Sequence, residues 1–343
     1  MPPANGGGVW TAAPARVRSA AMRLSISFPG IAPIASTLPV VHAAERCGLD
    51  GIWSAEHIGF RDAIVPSAVY LRETAGLEVG VCGLSLAGRH PGVIAMEIAS
   101  LAELGPGRVR VQVGTGDPSL IAKLGRTIDK PLPTTETLVH ALHAALAGNE
   151  VDGDFPGYSF HHFHLLSGGA PAPVDVMAVR PLMVRTAARV ADGLSLSAGA
   201  SAGYLVAVVQ DAERELAARN RNRAGFRISA FAPCVVADDL DAARQQLLPL
   251  FAMFDPAMLE LLARGAVDAG VLVSAVQAAG PPGMFEALTP AVIDAIAVVA
   301  TPDGLPEVLR RYAHTGIDEL ALSLIAAPED QPRLVELLAR ARP

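Results

Sequence analysis

The chain is poor in aromatic side chains, which make up 5% of its 343 residues. A core must therefore come from aliphatic residues and abundant alanine, a composition suited to helices packed closely on a sheet. Cysteine is also scarce. Cys47, Cys82 and Cys234 are odd in number and far apart. They fit neither a disulfide framework nor a zinc site and are read as reduced thiols in a cytoplasmic protein. No apolar run reaches the ~18 residues of a membrane span free of charge and proline, so no membrane partner is expected. No basic block occurs and the net charge is −7, which argues against a nucleic-acid partner. A Gly-x-Ser-x-Gly elbow and a Walker loop are both missing, which removes acyl transfer and nucleotide hydrolysis. The first 21 residues lack the apolar segment of a signal peptide and carry only Arg16 and Arg18 as charges. They read as a disordered extension, with Met22 an alternative start and one domain from 22 to 343.

What is present is alternation. Short strand patterns at Leu24–Phe28, Gly51–Ala55, Leu77–Ser85, Val109–Val113, Val174–Val179, Gly193–Ser197, Phe226–Val236 and Glu319–Ile325 are separated by helical spacing. The helices carry their punctuation: Gly48 ends the first, and Pro91 opens a helix that Gly105-Pro-Gly107 closes. Two stretches interrupt the rhythm. Residues 152–169 read as a hairpin after the fourth helix, Thr134–Ala147, and residues 240–299 read as a helical insertion before the eighth strand. Eight strands with intervening helices predict an α/β chain folded as a (β/α)8 TIM barrel. A doubly wound open sheet is the competitor, but its glycine-rich loop is not found after the first strand, where Phe28-Pro-Gly-Ile31 stands.

Polar clusters follow three of the strands: Glu56-His57, Arg89-His90-Pro91 and Gly114-Thr115-Gly116-Asp117. In an α/β fold these positions are the carboxyl ends of parallel strands, where ligands are held, and an enzyme is the default reading. Gly80 and Gly83 lie inside the third strand and point to a bulge or a close backbone approach. His161, His162 and His164 invite a metal reading, but no second ligand cluster accompanies them, and an exposed hairpin is the simpler account.

These segments, with Ala44-Glu-Arg-Cys-Gly-Leu-Asp-Gly-Ile-Trp53, Arg61-Asp62, Leu101-Ala-Glu-Leu104, Pro106-Gly-Arg-Val109, Ala191-Asp-Gly193 and Ala300-Thr-Pro-Asp303, resemble the luciferase-like superfamily of flavin and deazaflavin oxidoreductases. The match is closest to its methylenetetrahydromethanopterin reductase branch, which uses coenzyme F-420. The resemblance implies a TIM barrel with the cofactor ring across the strand ends and a non-proline cis peptide near Cys82-Gly83. It implies ring or tail contacts at Ser27, Cys82, Gly83, Ser85, Gly114, Thr115, Gly116, Ala178, Val179, Arg180, Ser197, Ala198 and Gly199. The chain departs from the family at Ser27, where an acid is common, at Glu56 for aspartate, at Ser85 for asparagine, and at Ala178-Val-Arg-Pro181 for a glycine-rich loop.

The same resemblance implies hydride transfer from reduced F-420 to a C=N or C=C bond of a small organic molecule. The alternatives are an FMN-dependent monooxygenase served by a flavin reductase and a barrel that binds cofactor without turnover. Asp117 either transfers a proton, its pKa raised under a bound ring, or caps the next helix. His57 either bonds the ring or substrate, or pairs with Glu56, the weaker catalytic candidate. Arg180 precedes a helix and either holds the cofactor phosphate or is solvated. Arg89 either faces the phosphate tail or pairs with Glu97 or Glu103. A homodimer through the apolar helices Pro66–Glu73 and Pro91–Leu104 is also implied.

Overall fold

The computed structural model describes residues 21–196 and 199–343. Most of the expected N-terminal extension, and Ser197 and Ala198, lie outside the described residues. Strand β1 (Arg23–Phe28), α1 (Ile34–Arg46), β2 (Gly51–Ala55), α2 (Ile64–Glu73), β3 (Glu78–Ser85), α3 (Pro91–Leu104) and β4 (Val109–Gly114) follow one another as the pattern predicts. A short α4 (Pro118–Ala122) and a long α5 (Pro131–Leu146) come next, then the antiparallel hairpin of β5 (Val151–Phe155) and β6 (Tyr158–Phe163). Alternation resumes with β7 (Val174–Met177), α6 (Pro181–Val190), β8 (Gly193–Leu196), α7 (Ala202–Ala218) and β9 (Arg227–Val236). The helical insertion is α8 (Leu240–Phe251), α9 (Pro256–Leu262), α10 (Val271–Ala279), α11 (Pro281–Ala287) and α12 (Pro290–Ile296). The chain ends with β10 (Val298–Ala300), α13 (Leu305–Ala313), β11 (Glu319–Leu324) and α14 (Gln331–Arg340).

Strands β1, β2, β3, β4, β7, β8, β9 and β11 pair in parallel in that order, and β11 pairs back onto β1. This is the closed (β/α)8 barrel. Strand β10 is a difference from the sequence pattern. Cys234 of β9 pairs with Leu324 on one side and Val298 on the other. Strand β9 outruns β8 by several residues, and β10 occupies the edge that β8 leaves. The helical insertion has a core of its own around Leu247, Phe251, Leu259, Leu272 and Ile293.

Period-two alternation sorts each barrel strand into a face toward the helices and a face toward the axis. On β1, Leu24, Ile26 and Phe28 join the apolar layer under the helices. Arg23, Ser25 and Ser27 take the other face. The same parity sends Trp53, Glu78, Arg110, Gln112, Asp175, Ser195, Arg227, Ser229 and Glu319 inward, where all are buried or nearly so. Gly80 is explained here: a Cβ on it would lie 2.1 Å from the Trp53 ring, so only glycine leaves room for the indole.

Candidate active site

The floor of the barrel is a closed polar network at the amino ends of the strands. Glu319 is fully buried and accepts from Ser25 Oγ (2.5 Å), Trp53 Nε1 (3.0 Å) and Ser229 Oγ (3.0 Å), with Arg227 at 3.5 Å. Burial alone would raise its pKa, but Arg227, Arg23 and the Ser25 and Trp53 bonds hold it down to about 2. Arg227 also pairs with Glu78, and Arg110 grips Asp175 through two bonds of 2.5 Å. Charges saturated in this way at the amino end serve stability; chemistry belongs at the opposite mouth.

At the mouth, β3 breaks register against β4 between Val81 and Leu84. Gly83 carries the bulge with φ +79°, a left-handed backbone that a Cβ disfavours. Its α-carbon faces β2 so closely that a Cβ would stand 2.5 Å from the Glu56 carbonyl oxygen. The Glu56 amide donates to the Cys82 carbonyl at 2.8 Å across the same junction. All described peptide bonds are trans. The cis bond expected near Cys82-Gly83 is therefore corrected: the positive φ of Gly83 makes the kink instead. Cys82 sits against Trp53 and Ala321, and burial pushes its thiol well above the ordinary range.

Glu56 and His57 do not pair. Neighbours in an extended segment point to opposite sides, and each finds its own partner. Glu56 Oε2 receives Arg89 Nη2 at 2.8 Å, and the other arm of Arg89 reaches Glu97 at 2.9 Å. Of the two fates read for Arg89, the structural pair holds, with Glu56 as an unforeseen second partner. Burial raises the Glu56 pKa against the opposing pull of Arg89. His57 Nδ1 lies 3.2 Å from the Pro29 carbonyl, which can only accept, so this bond places the proton on Nδ1 and leaves Nε2 as an acceptor. His57 is exposed, yet desolvation by its surroundings lowers its pKa more than the Pro29 bond raises it.

Asp117 is the N-cap of α4. Its Oδ1 accepts from the Ser119 amide (2.7 Å), the Ser119 hydroxyl (2.5 Å) and the Leu120 amide (3.2 Å). The Ser119 hydroxyl bond, ahead of the other contributions, lowers its pKa. The raised pKa is the expectation for a carboxylate under a bound ring; among the protein's own groups, three donors stabilise the charged form. Ser85 Oγ donates to the Thr115 carbonyl and accepts from the Ala87 and Gly88 amides, so it ties β3 to β4. Gly114 and Gly116 are packed against Met177 and Ile121.

The family described as luciferase-like monooxygenase matches residues 8–319. The chain belongs to that family. It is 24% identical over 329 residues to a 5,10-methylenetetrahydromethanopterin reductase of Methanolobus tindarius, covering 93% of this chain and 99% of that protein. Among solved structures it resembles the coenzyme F-420-dependent tetrahydromethanopterin reductase of Methanopyrus kandleri. The TM-score is 0.79 at 16% identity, over 94% of this chain and 99% of the other. It also resembles an F-420-dependent secondary alcohol dehydrogenase, with TM-score 0.76 at 16% identity, over 94% and 98% of the two chains.

In this luciferase-like barrel the loop after β7 carries Ala178, Val179 and Arg180. Ala178 is buried, and the Val179 carbonyl accepts from the Tyr204 hydroxyl, which fastens the loop to the first turn of α7. Arg180 precedes α6, is exposed and makes no ion pair among the described residues. Arg264, from the helical insertion, was not foreseen. Its carbonyl accepts from Ser201 Oγ at 2.7 Å, and its charge and that of Arg180 both act on the Tyr204 hydroxyl. Gly199 has φ +82° and donates to the Phe231 carbonyl at 2.6 Å. The three histidines of the hairpin are exposed, and His162 pairs with Glu150 at 2.9 Å. The hairpin packs on the mouth through His90, whose ring meets Tyr158 and Phe160 edge-on. The floor residues Arg23, Glu78, Arg227 and Glu319 were also missed. Their sequence signal is faint: one charge at or near the start of each strand, in phase with the inward face.

Proposed function

We propose that this luciferase-like protein is a coenzyme F-420-dependent oxidoreductase that transfers hydride to a C=N or C=C bond of a small organic molecule. The observation that carries the reading is the end-to-end likeness to 5,10-methylenetetrahydromethanopterin reductase. The residues at the mouth fit the group. F-420 has an anionic tail, and Arg180 and Arg264, exposed and with no ion pair among the described residues, both act electrostatically on the Tyr204 hydroxyl. The bulge at Gly83 brings main chain, without a side chain, to the surface where a flat ring would lie. Bound there in reduced form, the deazaflavin supplies hydride and reacts poorly with oxygen. His57 offers Nε2 as an acceptor toward ring or substrate. Glu56, held by Arg89, orients the junction of β2 and β3.

We also place the protein in the cytoplasm as a homodimer. The three cysteines are unpaired thiols, as in a reducing compartment. Val65 of α2 and Val93, Met96 and Leu104 of α3 are exposed apolar side chains on adjacent helices, a face suited to a second copy. No helix of the described residues is long and apolar enough to cross a membrane. Fluorescence titration with F-420 and with FMN, each oxidised and reduced, tests the cofactor. Tight F-420 binding with weak FMN binding is expected. The reverse preference moves the reading to an FMN-dependent monooxygenase, and binding of F-420 without turnover of any substrate moves it to a non-catalytic barrel.

A further inference from the structure

His57 follows β2 with Nδ1 committed to the Pro29 carbonyl at 3.2 Å, and its Nε2, across the ring, has no partner among the described residues. A neutral imidazole held in this tautomer can only accept at Nε2. Whatever lies against it must bring an N–H or an O–H. The Phe60 ring packs beside His57, with centroids 5.5 Å apart and planes tilted by 47°. Arg61 donates to the Gly30 and Ile31 carbonyls and so ties the loop after β2 to the loop after β1. Phe60 and Ile31 are exposed and make this part of the rim apolar.

The mouth is electrically divided. Arg180 follows β7, and Arg264 is fastened to Ser201, after β8. In the closed barrel β7 and β8 stand four places from β1 and β2, directly across the mouth. An anionic tail on that side leaves the β1–β2 rim for the substrate. On this side Arg89 is shared by Glu56 and Glu97, so the three carry one net negative charge. They are mostly enclosed, where salt screens little, and a cation is favoured near them.

The four carboxylates around the ends of β2, β3 and β4 are all engaged. Glu56 and Glu97 hold Arg89, Asp62 accepts from the Ile64 and Val65 amides at 2.8 and 3.0 Å, and Asp117 caps α4. None of the four stands as a free acid. Hydride addition to C=O, or to C=C conjugated with it, leaves an anionic oxygen that must find a proton. A protonated imine arrives with its proton already in place.

We propose that the substrate is a protonated imine that donates its N–H to His57 Nε2 and rests its carbon skeleton on Phe60 and Ile31. The inference narrows the proposed function to its C=N arm and rests on F-420 as the reductant. Hydride from the reduced deazaflavin adds to the imine carbon. The π pair of the C=N bond passes to nitrogen, which keeps its proton, and the product is an amine. The coenzyme leaves oxidised and releases its matching ring proton to water. The bond to Nε2 holds the imine in place for the transfer.

The test is oxidation of reduced F-420 by the full-length protein, followed optically, with 2-phenyl-1-pyrroline, 1-methyl-2-phenyl-1-pyrrolinium and 2-cyclohexen-1-one. The pyrroline should be consumed. The N-methyl compound has the same charge but no N–H, and its kcat/KM should be at least about tenfold lower, as expected for loss of a charge-assisted hydrogen bond. The enone should react more slowly still. His57→Phe removes the acceptor and should bring the two nitrogen compounds to within about twofold of each other. His57→Gln keeps an acceptor oxygen, should retain the preference, and guards against a folding defect in the phenylalanine variant. If F-420 binds but the pyrroline is not consumed, the inference is overturned and the cofactor reading stands. The same holds if the N-methyl compound or the enone reacts equally well, or if the preference survives in His57→Phe. If F-420 does not bind, both fall.

Discussion

Arg89 Nη2 donates to the carboxylate of Glu56 at 2.8 Å, across a gap of 33 residues in the sequence. A second carboxylate, Glu97, shares the same guanidinium. The three side chains are mostly enclosed, so the cation neutralises two acids that burial would otherwise drive toward protonation.

Replacing Arg89 by alanine should cost about 2 kcal/mol at pH 7.5, between the values for exposed and buried pairs. The pH dependence has a definite sign. Both glutamates have folded pKa values above 4.5, and losing the cation raises them further. An acid with a raised folded pKa destabilises when ionised, and the penalty fades as pH falls through its folded value toward 4.5. Urea unfolding at pH 7.5 and pH 4.5 should show a smaller gap between variant and parent at the lower pH. An equal gap would mean that Arg89 acts through packing alone.

Gly83→Ala tests the bulge. A Cβ there meets the Glu56 carbonyl at 2.5 Å, and a left-handed φ costs an L-residue roughly 1–2 kcal/mol. The strand must shift to accommodate it. The expected outcome is a lowered Tm and at least about tenfold weaker F-420 binding, measured by thermal melt and fluorescence titration. Unchanged affinity would remove the bulge from the cofactor surface.

His57 should titrate below 6.5, because desolvation outweighs its bond to Pro29. The unfolded chain takes up a proton first as pH falls. This residue's contribution to stability is therefore complete above pH 6.5 and declines below it. Nitrogen chemical shifts of labelled histidine should also report a neutral ring protonated on Nδ1 near pH 7. A ring protonated on Nε2 would contradict its role as an acceptor toward the mouth.

Met96→Glu should convert the proposed dimer to a monomer. Met96 is 53% exposed, and the charge would enter the centre of the apolar face of α3. Light scattering of parent and variant at the same micromolar concentration decides this, and a parent that is already monomeric refutes the interface.

The elements with strong local signals were legible. Strand β2 and helix α3 end where the pattern ends them, because glycine and proline mark their limits and burial enforces a single period. Strand β10 was not, since three residues carry no period. Asp117 was ambiguous for a physical reason: a carboxylate after a strand is placed equally well to cap a helix or to meet a ligand, and the cap shows only in the three donors around its Oδ1. Arg89, Glu56 and Glu97 were each visible as charges. The pair of Arg89 with Glu97 was one of the readings, but the contact with Glu56 was not, because it depends on how far the bulge at Gly83 turns the chain toward β2.

Glu319 lies 294 residues from Ser25 and 266 from Trp53, and it reaches both in the centre of the barrel. A growing chain lacks this carboxylate until residue 319 has been made. Until then Ser25, Trp53 and Ser229 face the axis without their common acceptor, and β1 has no neighbour on its open edge. Such distant pairings are slow to form. Barrel closure therefore waits for β11, and truncation before residue 319 removes both the acceptor and the strand that pairs with the open edge of β1.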